Sequence, residues 1–166
     1  MTNNLNSLEK TLNYSFKNQS YLTKALTHSS KSKDNNERLE YLGDAVINLA
    51  VSEHLIKNFS DLDEGSLSIL RAKLVSRDTL SRLASNIGLE SYLIMGKSLS
   101  NQENKKISIF GNAFEAIIGA IYLDENFDKA ATVVMYFLKE EIRSLTLNQI
   151  KDKINSPSRI AKKKKN

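Results

Sequence analysis

Apolar residues recur at three- and four-residue intervals along most of the chain, the spacing that lines one face of a helix rather than the strict alternation of a half-buried strand. The pattern predicts helices over 5–12, 20–27, 36–58, 66–87, 108–124 and 127–147, and an all-α fold. The only proline is Pro157, so no predicted helix is interrupted by a ring that removes a backbone donor. The polar run 96–107, Gly-Lys-Ser-Leu-Ser-Asn-Gln-Glu-Asn-Lys-Lys-Ile, reads as a loop. No internal repeat is present. A single domain is expected over 1–147, followed by a basic, flexible tail over 148–166.

Composition narrows the classes. With 166 residues, 40% hydrophobic and 26% charged, the chain can bury one ordinary core. Cysteine is absent, which removes disulfides, thiolate metal sites and a cysteine nucleophile. His28 and His54 are too few for a zinc cluster. No apolar run approaches the roughly 20 residues that span a bilayer, and the opening Met-Thr-Asn-Asn-Leu-Asn lacks the charged start and apolar run of a secretion signal. A cytoplasmic protein with no membrane partner is the expectation. The net charge of +5 is unevenly placed: seven Lys or Arg against one Asp give 151–166 a charge of +6, which leaves 17 basic and 18 acidic residues, or −1, for 1–150. The body is therefore not basic. The run Lys162, Lys163, Lys164 and Lys165 is either a solvated end or a phosphate-attracting tether.

Two segments carry candidate chemistry. In 36–46, Asn-Glu-Arg-Leu-Glu-Tyr-Leu-Gly-Asp-Ala-Val, the acids Glu37, Glu40 and Asp44 fall at i, i+3 and i+7 and share one stripe. Leu39, Leu42, Val46 and Leu49 are assigned to the opposite, core-facing side. Like charges so stacked repel by a few tenths of a kcal/mol per pair, so a cation should compensate; Arg38 and nearby lysines on a solvated face would also satisfy that requirement. In 110–124, Phe-Gly-Asn-Ala-Phe-Glu-Ala-Ile-Ile-Gly-Ala-Ile-Tyr-Leu-Asp, Asn112 and Glu115 lie at i and i+3 beside a broad apolar face. A Glu in a buried helix is costly unless paired or coordinated. Gly119, one turn further on the same side, would admit another helix closely. Oxygen-only donors suit a hard cation such as magnesium, with a structural ion or a buried ion pair as the plainer alternatives.

With these residues in hand, 36–46 resembles the signature stretch of the ribonuclease III family and 112–124 resembles its second acidic motif. Ala25-Leu26-Thr27-His28-Ser29-Ser30, Glu64-Gly65 and Leu70-Arg71-Ala72-Lys73-Leu74-Val75 match in order and spacing, so the resemblance runs over about residues 10–147. It implies the endonuclease-domain helical bundle of that family, a homodimer, and double-stranded RNA cut by magnesium-dependent hydrolysis, with manganese as a substitute. The products expected are duplexes with 5′-phosphates and short 3′ overhangs, and ribosomal RNA precursors are the expected substrate. It implies that Glu40, Asp44, Asn112 and Glu115 hold the metal, with Asp44 and Glu115 central to catalysis. Glu37 and Glu64 are placed in the same acidic cleft, and Tyr41, a residue type commonly exposed in any case, is assigned to the dimer interface. His28 is given a structural or RNA-facing role, and His54 is read as a packing residue.

Two departures stand out. The family's usual acid is replaced by Asn112, which can offer a carbonyl oxygen but no charge and should weaken cation binding. The sequence also stops at Asn166, without the family's double-stranded-RNA-binding domain of about 70 residues. The lysine run as tether, a truncation, or a separate RNA-binding protein are the open readings. A catalytically weak or inactive duplex-RNA-binding subunit of nuclease-like fold is the alternative function.

Overall fold

Two long helices packed backbone to backbone organise the chain. The structure is a computed structural model that describes residues 2–97 and 103–155, with side chains described over 5–97 and 108–145. The helices are α1 (Thr2–Leu12), α2 (Gln19–Ala25), α3 (Glu37–Asn58), α4 (Glu64–Leu74), α5 (Arg77–Asn86), α6 (Glu103–Asp124) and α7 (Phe127–Asn155), with a 3-10 turn at Leu89–Tyr92. Among the described residues there is no strand. An isolated parallel bridge between Thr27 and Ile94 ties two loops, with His28 N donating to Ile94 O at 3.0 Å and Ile94 N to Leu26 O at 2.9 Å. The all-α architecture is as expected.

The centre is α6, whose Ala113, Phe114, Ala116, Ile117, Ile118, Ala120 and Ile121 are all buried. Helix α3 lies along it, α2 and α5 pack against it, and α7 touches both. Each large apolar side chain fully buried here contributes about 1.5–3 kcal/mol. Phe114 meets Phe137 of α7 edge to face, with ring centroids 5.5 Å apart, a geometry favoured by the aromatic quadrupole.

The α3–α6 contact is set by glycine. A Cβ on Gly43 would stand 1.8 Å from the carbonyl oxygen of Glu115, and one on Gly119 would stand 2.2 Å from that of Leu39. The close approach expected at Gly119 is present, and Gly43 is its counterpart. At its far end α6 is clamped: Asp124 accepts from the Tyr14 hydroxyl at 2.7 Å and from the backbone of Lys17 and Asn18 at 2.8 and 2.9 Å.

Four expectations are corrected. The helix expected over 66–87 is two, because Ser76 caps a new one, its hydroxyl accepting from Thr79 N at 3.2 Å. Likewise Asp63 accepts from Ser66 N, so α4 starts at Glu64. The loop expected over 96–107 is helical from Glu103. Helix α7 continues to Asn155 rather than ending near 147. Finally, Leu49 is 57% exposed rather than in the core. The buried stripe of α3 is Leu39, Gly43, Val46, Ile47, Ala50, Val51 and Leu55, rotated toward the acids because the closest contact runs through a glycine that hydrophobic patterning does not register.

Candidate active site

That rotation brings the acids of α3 to the edge of the α6 contact. Glu40 of α3, Asn112 and Glu115 of α6, and Arg77 at the start of α5 line one cavity of about 200 Å3, with Leu80 and Gly111 completing the wall. Gly111 matters for the approach of α5, since a Cβ there would come within 2.8 Å of Ser81 Oγ. Two carboxylates from different helices and one amide thus face a common space.

Their electrostatics are those of an undercompensated acidic site. Burial, then the charges of Asp44 and Glu40, push the Glu115 carboxyl up to about 7, against a smaller opposing effect of Arg77. Burial also raises Glu40; the Asn112 amide, donating to it, and Arg77 lower it, while Glu37 and Asp44 raise it further. Asp44 stands exposed beside this pair, with Asn48 Nδ2 donating to its Oδ1 at 3.0 Å. Glu37, expected in the same cleft, is exposed and lines the neighbouring cavity beside Tyr41 instead, its backbone N–H received by Asn35 Oδ1 at 2.9 Å; only its charge reaches Glu40. Glu40 and Glu115 are each costlier to leave charged than they would be alone.

The donor set fits a hard divalent cation: carboxylate and amide oxygens, no sulfur or imidazole, and a half-buried carboxylate whose ionised form is only partly compensated by Arg77. Among the described residues, however, no three His, Cys, Asp or Glu side chains are gathered closely enough to hold a metal ion as they stand. Glu40 and Glu115 share the cavity wall with Asn112, while Asp44 acts on it from outside.

The other residues singled out in the sequence are elsewhere, and their positions differ from one another. Glu64 lines a separate cavity of about 170 Å3 with Ser52, Ile56 and Arg71, and accepts from Ser68 Oγ at 2.7 Å. Within one chain it does not join the Glu40–Glu115 site. Tyr41 is 82% exposed on the rim of a third cavity, of about 570 Å3, shared with Tyr21, Lys24, Leu42 and Leu123. His28 Nδ1 accepts from the backbone of Ser30 at 3.1 Å, and the Ser30 hydroxyl in turn accepts from Gly96 N at 2.9 Å, which ties two loops. His54 is half-buried, and burial lowers its proton affinity, as suits a packing residue. Lys162, Lys163, Lys164 and Lys165 lie outside the described residues. Among the described residues no helix is long and apolar enough to cross a membrane.

Arg77 was missed by sequence reasoning, which looked for the compensating charge on α3 itself. A signal was available: Ser76 followed by Asp78 is an N-terminal capping pattern, and a new helix there turns Arg77 toward whatever lies opposite.

Comparison with known proteins agrees with this picture. The family model described as ribonuclease-III-like matches residues 18–142. The chain is 46% identical over 142 residues to ribonuclease 3 of Francisella tularensis subsp. holarctica, covering 86% of this chain and 61% of that protein. It is 47% identical over 148 residues to ribonuclease 3 of Pseudomonas putida, covering 89% and 65%. A solved structure of the nuclease domain of ribonuclease III from Campylobacter jejuni, described for flexibility in a region involved in dimer formation, superposes with a TM-score of 0.78 at 42% identity over 81% of this chain and 95% of that one. This chain belongs to the ribonuclease III family. It spans about three fifths of the length of the curated relatives it matches, and its fold is that of their nuclease domain.

Proposed function

We propose that the chain is an endoribonuclease domain that hydrolyses both strands of double-stranded RNA with magnesium, or manganese in its place. The observation that carries this reading is the convergence of Glu40, Asn112 and Glu115, with Asp44 beside them, on one cavity between α3, α5 and α6. These four residues would hold the cation; Glu115, the most buried of the acids and the most strongly raised, is the costliest to leave charged without one. When bound, such an ion supplies Lewis acidity toward the phosphodiester and makes water a competent nucleophile near neutral pH. No covalent enzyme intermediate is required. The products are 5′-phosphorylated duplexes with short 3′ overhangs, and ribosomal RNA precursors are the natural substrate in this reading.

A homodimer completes the proposal. Tyr41, Ala45, Leu49 and Ile56 form an exposed, largely apolar stripe along α3, with Tyr41, Leu49 and Ile56 at 82%, 57% and 65% exposure, and Ile69 of α4 is 71% exposed. Several large apolar side chains exposed along one helix face are what a protein partner would cover. A second copy covering it would place two acidic sites on one duplex, and would bring Tyr41 of each copy against its partner. Leu49→Lys should convert the dimer to monomer in sedimentation velocity; an unchanged sedimentation coefficient would reject this face as the interface.

The decisive experiment is cleavage of a labelled RNA duplex of about three helical turns at low salt, in magnesium or chelator, beside Glu115→Gln. Magnesium-dependent products with 3′ overhangs, lost in the variant, support the nuclease. Because Asn112 leaves the site one charge short of the family pattern, a second reading is a duplex-RNA-binding subunit, and binding without cutting in excess magnesium or manganese would establish it instead.

A further inference from the structure

Arg77 occupies a position that helix energetics do not favour. It is the first residue of α5, where unpaired N–H groups give the helix end a partial positive charge that disfavours cations. The local needs of that terminus are met without it, by the Ser76 hydroxyl on Thr79 N and by the acidic Asp78 in the first turn. Its side chain lines the cavity with Glu40 and Glu115, and its charge acts on both carboxylates. Among the described residues it makes no ion pair within 4.0 Å. It therefore acts through the field rather than by locking one acid in a fork. Asn112, the neutral member of the cavity wall, donates to Glu40, so its carbonyl oxygen is the part of that amide left for a cation.

We infer that Arg77 is a resident counter-cation of the acidic site: it compensates Glu40 and Glu115 when no divalent ion is present, and a metal must bind against its charge. This rests on the reading of the cavity as a metal site and makes Arg77 a positioning and affinity-setting residue rather than a catalytic one. Its charge and the neutrality of Asn112 act in the same direction, so this domain should bind divalent cations weakly and release them readily.

The test is calorimetric titration of RNA-free protein with magnesium, and with manganese, at pH 8 and low salt, on the wild type, Arg77→Gln and Arg77→Lys. An exposed helix-end position should tolerate both changes, and urea unfolding checks that each variant is folded. Removing the charge should tighten the metal Kd on the order of threefold to tenfold, while Arg77→Lys stays near the wild type. Added salt should shrink the difference. Equal or weaker binding by a folded Arg77→Gln overturns the inference while leaving the metal site intact. Absence of binding in all three proteins overturns it together with the metal-site reading, which the cleavage assay tests separately. Tightening in Arg77→Lys equal to that in Arg77→Gln would also overturn it, since charge would then not be the cause.

Discussion

Adding one methyl group at Gly119 should damage stability and activity together. A Cβ there would lie 2.2 Å from the Leu39 carbonyl oxygen, 1.2 Å short of an ordinary 3.4 Å contact, and at Gly43 the shortfall against Glu115 O is 1.6 Å. In each case the obstructing atom is backbone, so no rotamer change relieves it and the helices must part by about the missing distance. Overpacking of this kind costs about 1–3 kcal/mol or more, and the gain of about 1 kcal/mol from replacing glycine by alanine inside a helix does not offset it. At about 2–4 °C per kcal/mol for a domain of this size, Gly119→Ala should lower Tm by several degrees. The same displacement separates the α3 acids from those of α6, and misplacing catalytic groups by about 1 Å can cost roughly a hundredfold in rate. The assay is urea unfolding followed by duplex cleavage at a temperature where both proteins are fully folded. A Gly119→Ala protein with wild-type Tm and wild-type kcat would refute the claim that this contact sets the site.

The remaining predictions concern charge. Because Glu115 is raised from 4.5 to about 7 on folding, the metal-free folded state holds a proton that the unfolded chain releases. The penalty is absent below about 4.5, grows as pH rises, and is complete above about 7. In chelator, Glu115→Gln should therefore gain stability relative to wild type between pH 5 and pH 8 by urea unfolding; a difference independent of pH would contradict the assignment. Asn112→Asp should lower the magnesium concentration needed for half-maximal cleavage, and an unchanged requirement would remove Asn112 from the ligand set. Deleting 151–166, which carries seven Lys or Arg, should flatten the dependence of log Kd for duplex RNA on log salt, and an unaltered slope would reject the tether.

Much of the site was legible because helical spacing is rigid. Glu37, Glu40 and Asp44 fall on one stripe, and Asn112 and Glu115 on another, whatever surrounds them. The approach of two helices at Gly119 was legible for a similar reason, since only a missing side chain permits it. What escaped depended on partners from distant parts of the chain. Leu49 looked like core because patterning weighs side chains and gives Gly43 no weight, yet Gly43 is where α3 touches α6. Arg77 escaped because the break at Ser76 is a matter of one hydroxyl capping one N–H, within a segment whose apolar spacing runs on unbroken. Glu64 was joined to the other acids only by the family resemblance, and α4 carries it to another cavity of the same chain.

The Asp124 clamp gives the site a mechanical property. Packed helices retain two soft relative motions, rotation about the axis and sliding along it. The interlocked glycines of α3 and α6 oppose rotation, since turning either helix would drive a neighbouring side chain into a carbonyl. Asp124, gripped by Tyr14, Lys17 and Asn18, opposes sliding, since α6 cannot advance without breaking three hydrogen bonds at its end. Both degrees of freedom are lost when the domain folds, not when a ligand arrives. The relative placement of Glu40 and Glu115 is thus fixed before any encounter, and only the side-chain torsions of the donors and of Arg77 remain to respond to what enters the cavity.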